Sequence, residues 1–427
     1  MLARLTPGVP SRVFALTLFL SLHVAASSGA QETGVNLIED EIEGLRTSFF
    51  RLGPFYVTPS FRFGTGYDSN PLSTPDAESD VNLVAGPSVR LATPIGGVAF
   101  IAIDEEVDYV WYREQTELRQ LWNFTQVGGG FGSRRFIVNL GGGLRDQTAR
   151  PTSEFDFPVQ EKSTNLDGAL TLALGWRHQL NFAYSHSSYE IVEGTDDPAI
   201  FSRLNRDEDR VVAAFSRRLT AKTNAIAEAF VDEFSFQDDS RNADSYGARF
   251  GFEFSPSGGD PFTTKPPVVG SFLNGRFLLG FRSVEPFDPE RVAYKGLVGS
   301  VDVTFGFGER QRLQGLYSRD IVPSIFDQNW YFVENRYGAT FHYQVTGIFS
   351  VTPGIIFGKN RYPLPSETPI GEEEIFDDHR TYLLAFDFRV TDRWTVGVST
   401  DYLDRESNVF AFAKDRLQVG FTMSFEP

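Results

Sequence analysis

Between Pro54 and Asn70 the chain reads PFYVTPSFRFGTGYDSN, and its side chains alternate between two kinds. Phe55, Val57, Pro59, Phe61, Phe63, Thr65 and Tyr67 form one set; Tyr56, Thr58, Ser60, Arg62, Gly64, Gly66 and Asp68 form the other. A period of two is that of a β-strand, whose successive side chains point to opposite faces. Strands in soluble sheets usually run about 5 to 6 residues, so this one is long. A strand of this length with one oily and one wet face needs surroundings of matching depth.

The pattern recurs along the chain. GVAFIAIDEEVDYVWYR sets Ile101, Ile103, Val107, Tyr109 and Trp111 against Asp104, Glu106 and Asp108. LDGALTLALGW, SYGARFGFEF, TYLLAFDFRV and the closing VFAFAKDRLQVGFTMSF repeat it. Short connections such as TPIGG, LTAK, TGI and TDR alternate with long ones rich in Asp, Ser and Pro, such as RDQTARPTSEFDFPVQEK and YPLPSETPIGEEEIFDDH. SPSGGDPFTTKPPVVG (255–270) breaks the rule by standing where a short turn belongs. In a bilayer every backbone polar group must be paired within the protein, so only helices or closed barrels cross it. A tilted crossing strand takes about 9 to 11 residues with a lipid-facing apolar row. The predicted fold is therefore all-β: a transmembrane antiparallel up-and-down β-barrel of about 18 strands, or 16, with short periplasmic turns and long acidic extracellular loops. Tyr67, Trp111, Tyr112, Trp176 and Trp394, near strand ends, suit the aromatic girdles of such a wall.

Composition agrees. Aromatic residues reach 14%, led by 41 Phe, yet 22% of the chain is charged, as alternation requires. Cysteine is absent, which removes disulfides, thiolate metal sites, thiol nucleophiles and a lipidated N-terminal Cys. The formal charge of -17 disfavours nucleic acid as a partner. Arg4 and Arg12 flank the apolar run VFALTLFLSLHV, followed by AASSGA. This reads as a secretory signal peptide over 1–30, then a periplasmic N-terminal segment over 31–50 and an outer-membrane barrel over 51–427.

RLGPFYVTPSFRFGTGYDSNPL, with GPSVRL after it, resembles the opening of the putative β-barrel porin 2 family. The matching residues are Gly53 to Phe55, Pro59 and Ser60, and Gly66 to Asn70. The resemblance implies a bacterial outer-membrane barrel of a kind often associated with exopolysaccharide systems, and so export of extracellular polysaccharide with periplasmic partners. A passive porin for small polar solutes is the alternative, and a structural or adhesive barrel with a closed lumen a third. One departure is the end of the chain, where Phe425 is followed by Glu426 and Pro427 instead of closing on an aromatic residue.

Enzyme chemistry finds no footing. No Gly-x-Ser-x-Gly elbow or His-Glu-x-x-His pair occurs, and the five His are scattered. His186 has Ser neighbours at 185 and 187, but these face the opposite way on a strand. The Gly runs at 64–66, 128–132 and 141–143 lack the Lys-Ser/Thr of a phosphate loop. No cofactor is expected. The polar rows supply the candidate lumen-lining charges: Arg62, Asp104, Glu106, Asp108, Asp167, Arg249, Glu253, Arg276, Arg282, Asp302, Glu334, Arg336, Asp387, Arg389, Lys414 and Arg416. Facing acidic and basic rows either set a transverse field that orients solutes or brace the wall as fixed ion pairs. The loop runs DAESD, TDDP, QDDS and GEEEIFDD offer oxygen ligands for divalent cations, without EF-hand spacing; such runs are more often simply solvated. Expected partners are outer-membrane lipid and lipopolysaccharide, the barrel-assembly machinery during insertion, and polysaccharide-export proteins in the periplasm. No feature marks an oligomer face.

Overall fold

The computed structural model describes residues 49–425 apart from 75, 134, 195–197, 255–271, 309, 369–370 and 410–411. The predicted signal peptide, nearly all of the predicted 31–50 segment, the long connection at 255–270 and the two residues after Phe425 lie outside the described residues.

Eighteen long strands build one sheet. They are β1 (Phe55–Asp68), β2 (Asp80–Ile95), β3 (Ala99–Tyr112), β4 (Gln120–Gly132), β5 (Phe136–Ala149) and β6 (Val159–Ala173). Next come β7 (His178–Glu193), β8 (Arg206–Thr220), β9 (Thr223–Phe236), β10 (Ala243–Phe254), β11 (Leu273–Pro286) and β12 (Tyr294–Phe307). The last are β13 (Gln311–Pro323), β14 (Tyr331–Gln344), β15 (Phe349–Arg361), β16 (Phe376–Arg389), β17 (Trp394–Ser407) and β18 (Lys414–Phe425). Each pairs antiparallel with its sequence neighbours, and β18 returns to β1 over Phe61↔Phe425 to Asp68↔Gln418. The sheet is closed, as a wall that faces lipid requires. At the seam β1 begins before its pairing with β18 does, and the short strand Phe50–Leu52 covers part of that start (Phe50↔Val57).

Register decides the faces. Phe61, Tyr67, Leu121, Leu140, Leu166 and Phe250 are 41 to 62% exposed, all on one side of the wall. In a soluble protein such a surface would drive association; around a barrel it is the lipid-facing band. Ion pairs that skip a strand, such as Arg62 (β1) with Asp108 (β3) and Arg276 (β11) with Glu228 (β9), lie on the other, concave side. One expectation fails here. Trp111 faces lipid beside Tyr109, but Tyr112, one residue on, pairs with Asn82 and faces in, because neighbouring strand residues cannot share a face. Tyr112 is no girdle residue.

The two ends differ as the sequence predicts. One end has tight turns, where Gly96 (φ 63) and Gly308 (φ 73) take left-handed backbone that glycine accepts without strain. The other carries the longer loops at 69–79, 113–119, 150–158, 194–205, 237–242, 287–293, 324–330, 362–375 and 408–413. In barrels of this kind the short turns usually stand on the periplasmic side. Much of the buried apolar packing sits in the loop end instead of mid-barrel, in clusters around Trp330, Phe155 and Phe332.

Candidate functional site

The inner wall is the first part of the candidate site. Register places all sixteen charges singled out above on the inward rows of their strands, because each sits an even number of residues from an inward neighbour in register. They differ in what they do there. Arg62 pairs with Asp108 and, at 2.7 Å, with Glu106, while Asp104 lies 4.0 Å from Arg90. Gly86 sits between them in register; a Cβ there would run into Asp108, so the glycine makes the room in which Arg62 reaches its acid. Higher on the seam, Arg416 grips Asp68 through its Nε at 2.9 Å, and Gln418 donates to the same carboxylate at 2.9 Å.

A second lattice covers β8 to β13. Glu228 bridges Arg249 and Arg276, and Asp232 bridges Arg210 and Arg282, which also reaches Asp320 at 2.6 Å. Here large apolar groups enter the inward row beside the charges. On β9 the inward residues include Ile226 and Phe230, both buried, while the outward ones include Ala225, Ala227, Ala229 and Val231. Phe230 stands among three guanidinium groups, those of Arg210, Arg249 and Arg282, at 4.8, 5.1 and 5.7 Å. Flat cations on an aromatic face attract it electrostatically, so this sector is a packed brace and not a wet surface.

The remaining candidates are looser. Gln314 donates to Asp302 at 2.8 Å, Asn224 to Glu253 at 3.2 Å and Asn165 to Asp167 at 2.6 Å. Lys414 reaches up to Asp156 at 3.2 Å. Asp387 faces inward on β16 beside Ser350 of β15. Glu334, Arg336 and Arg389 are half-buried and form no ion pair among the described residues. The static and field-setting readings of the rows therefore divide by sector: ion pairs brace β1–β3 and β8–β13, and free charge faces the bore from β14 and β16.

The second part is a cap. Outer loop 150–158 leaves β5 and β6 and reaches the 324–330 loop eight strands away. Glu154 is fully buried; its carboxylate accepts from Ser324 Oγ at 2.8 Å and from the Ile325 N–H at 2.6 Å. Arg405 of β17 donates to the Glu154 carbonyl at 3.3 Å, Ser153 to Asn360 of β15 at 3.2 Å, and Arg150 to the Pro71 carbonyl at 2.7 Å. The 324–330 loop is the hub. Arg203 donates to its Ile325 carbonyl at 2.9 Å, buried Arg241 to those of Ser324 and Phe326, and Trp330 to the Val292 carbonyl at 2.9 Å. Phe326 meets Tyr362 and Phe412 ring to ring. Burial pushes the Glu154 carboxyl up to about 7 and brings the Arg241 guanidinium down to about 10, Arg291 and Arg203 adding to the second shift. Burial also works against the Asp156 carboxylate, but Arg150 and Lys414 hold it below the usual carboxylate range.

The acidic loop runs do structural work where they are described. Asp80 accepts from the N–H groups of Glu114 and Gln115, Asp238 from that of Ser240, and Asp377 pairs with Arg405 while both are buried. Among the described residues no group of three or more His, Asp or Glu is placed to hold a metal ion.

Sequence reasoning missed three kinds of residue. Arg90 and Arg210 carry the same alternation signal as the candidates and could have been read from it. Glu154, Arg241 and the hub loop carry no periodic signal at all. Glu105 is a third case: it faces lipid between Ile103 and Val107, and accepts from Asn123 at 3.1 Å and Thr125 at 2.6 Å.

Comparison with known proteins sets these features in context. The family model described as Putative beta-barrel porin 2 matches residues 50–425. No curated protein matches the chain in sequence. Among solved structures, OpdO of Pseudomonas aeruginosa is similar with a TM-score of 0.47 at 12% identity, over 87% of this chain and 97% of that one. OpdK of the same organism gives 0.48 at 10% identity, over 87% and 98%. The FrpB iron transporter of Neisseria meningitidis gives 0.44 at 12% identity, over 86% of this chain and 63% of that one.

Proposed function

The chain belongs to the Putative beta-barrel porin 2 family and is a bacterial outer-membrane β-barrel, and on that premise we propose that it is a passive diffusion channel for small polar solutes. The observation that carries this is the inner wall: closed, 18-stranded, and presenting half-buried charge at Glu334, Arg336 and Arg389 that forms no ion pair among the described residues. Barrels of 16 to 18 strands leave an aqueous bore, and charges along it filter solutes without any chemistry. Catalysis has no part in this reading. Solute crosses the outer mouth through whatever space the cap loops leave.

Polysaccharide export, which the opening motif suggested, has no support in the site. A polymer needs an unobstructed outer mouth, and here loops from all nine outer connections are hydrogen-bonded into one network. Planar-bilayer recording with liposome-swelling assays tests the proposal. A diffusion channel gives steady conductance and swelling that falls with solute size. A silent bilayer and no swelling by the smallest sugars would make it a sealed structural barrel.

A further inference from the structure

The lipid-facing wall of β7 to β11 contains a groove of about 660 Å³. Its floor is made by small outward residues of β9 and its neighbour, Ala213, Ala227 and Ala229, and its rim by Leu180, Phe215 and Phe250. Small side chains line this depression between larger ones, a few residues above the short-turn end of the strands. Directly below Phe215, on the periplasmic side, the next outward residue is Arg217, in register with His178 of β7. The His178 ring stacks on Phe215 at 5.7 Å, and Arg177 lies over Trp176 at 3.8 Å in the adjoining turn. Lys222 occupies the next turn. Arg177, Arg217 and Lys222 have no carboxylate partner among the described residues, although the whole chain carries an excess of acid.

We propose that this groove and the cations beneath it form a specific site for an anionic glycerophospholipid of the periplasmic leaflet, one acyl chain lying over Ala227 and the phosphate held by Arg217 and Arg177. The charge arrangement selects the occupant. Apolar surface above and uncompensated guanidinium at the headgroup level match a lipid with a hydrocarbon tail and a negative head. A second copy of this chain, inserted the same way up and related by a two-fold axis, would bring the same cations together.

Native mass spectrometry of the delipidated full-length protein tests this, using phosphatidylglycerol and phosphatidylcholine with identical chains. One phosphatidylglycerol bound per chain is expected, at least tenfold in excess of phosphatidylcholine. Ala227→Trp, which fills the groove, and Arg217→Glu, on the exposed wall, each lower that adduct at least tenfold while the heat-modifiable folded band on gels persists. If Ala227→Trp does not fold, Ala229→Leu and Arg217→Glu decide the matter. Equal adducts of the two lipids, variants that bind like the parent, or a two-chain species abolished by Ala227→Trp would overturn the site.

Discussion

Glu154 makes the cap sensitive to pH. Its carboxyl is fully buried against Ser324, Ile325 and Tyr362, with Asp377 nearby and Arg405 engaged at its own backbone carbonyl. In a loop swung open into water it would titrate near the ordinary 4.5, whereas in the closed cap burial raises it to about 7. Below 4.5 both states hold the proton, and above 7 both have lost it. Between those values only the closed cap keeps it, so closure weakens as pH rises. At about 1.4 kcal/mol per unit the whole swing is on the order of 3 kcal/mol, or about two orders of magnitude in the ratio of open to closed. Hydrogen exchange, corrected for intrinsic rates, reads this directly. Protection of the 150–158 and 324–326 amides is expected to fall steeply from pH 5 to pH 8 in the parent. In Glu154→Gln, which keeps the shape and discards the charge, it should stay flat and exceed the parent at pH 8. An equal pH slope in both proteins, or parent protection that rises with pH, would refute the argument.

Three other outcomes follow from the same geometry. Arg405→Met leaves Asp377 buried without its partner and should cost about 3 to 5 kcal/mol in urea unfolding followed by the heat-modifiable band, with Arg405→Met/Asp377→Leu recovering most of it; equal losses in both would show that the pair is not the cause. Arg62→Ala releases Asp108 and Glu106 into the bore, so the reversal potential in a salt gradient should move toward cations, and no movement would mean that this wall lies off the conducting path. Glu105→Leu removes a carboxylate from the lipid face and should stabilise the barrel by about 1 kcal/mol, below the range for Arg or Lys at the same depth. A loss of stability instead would show that a protein partner covers Glu105 in the membrane.

How far each feature could be read ahead depends on the range of the interaction that makes it. The lipid-facing rows, strand length, the count of about eighteen and the short and long ends are local: each follows from the two-residue pleat and the bilayer's demand that backbone bonds be closed. That is why Arg62, Asp108 and Arg416 could be assigned to the polar rows from spacing alone, and why the error at Tyr112 came from ignoring that same spacing. What alternation cannot say is who meets whom across two strands. The Arg62 and Asp108 pair needs Gly86 between them, and Phe230, inward by the same parity as Glu228 and Asp232, is accommodated among charges because Arg210, Arg249 and Arg282 surround it with flat cations. The cap lies furthest from the sequence. Glu154 meets Ser324 across 170 residues, a contact with no period, set by loops converging over a closed ring. Period-two chemistry specified the wall; only closure of that wall, which brings distant loops within bonding distance, decided what stands in its mouth.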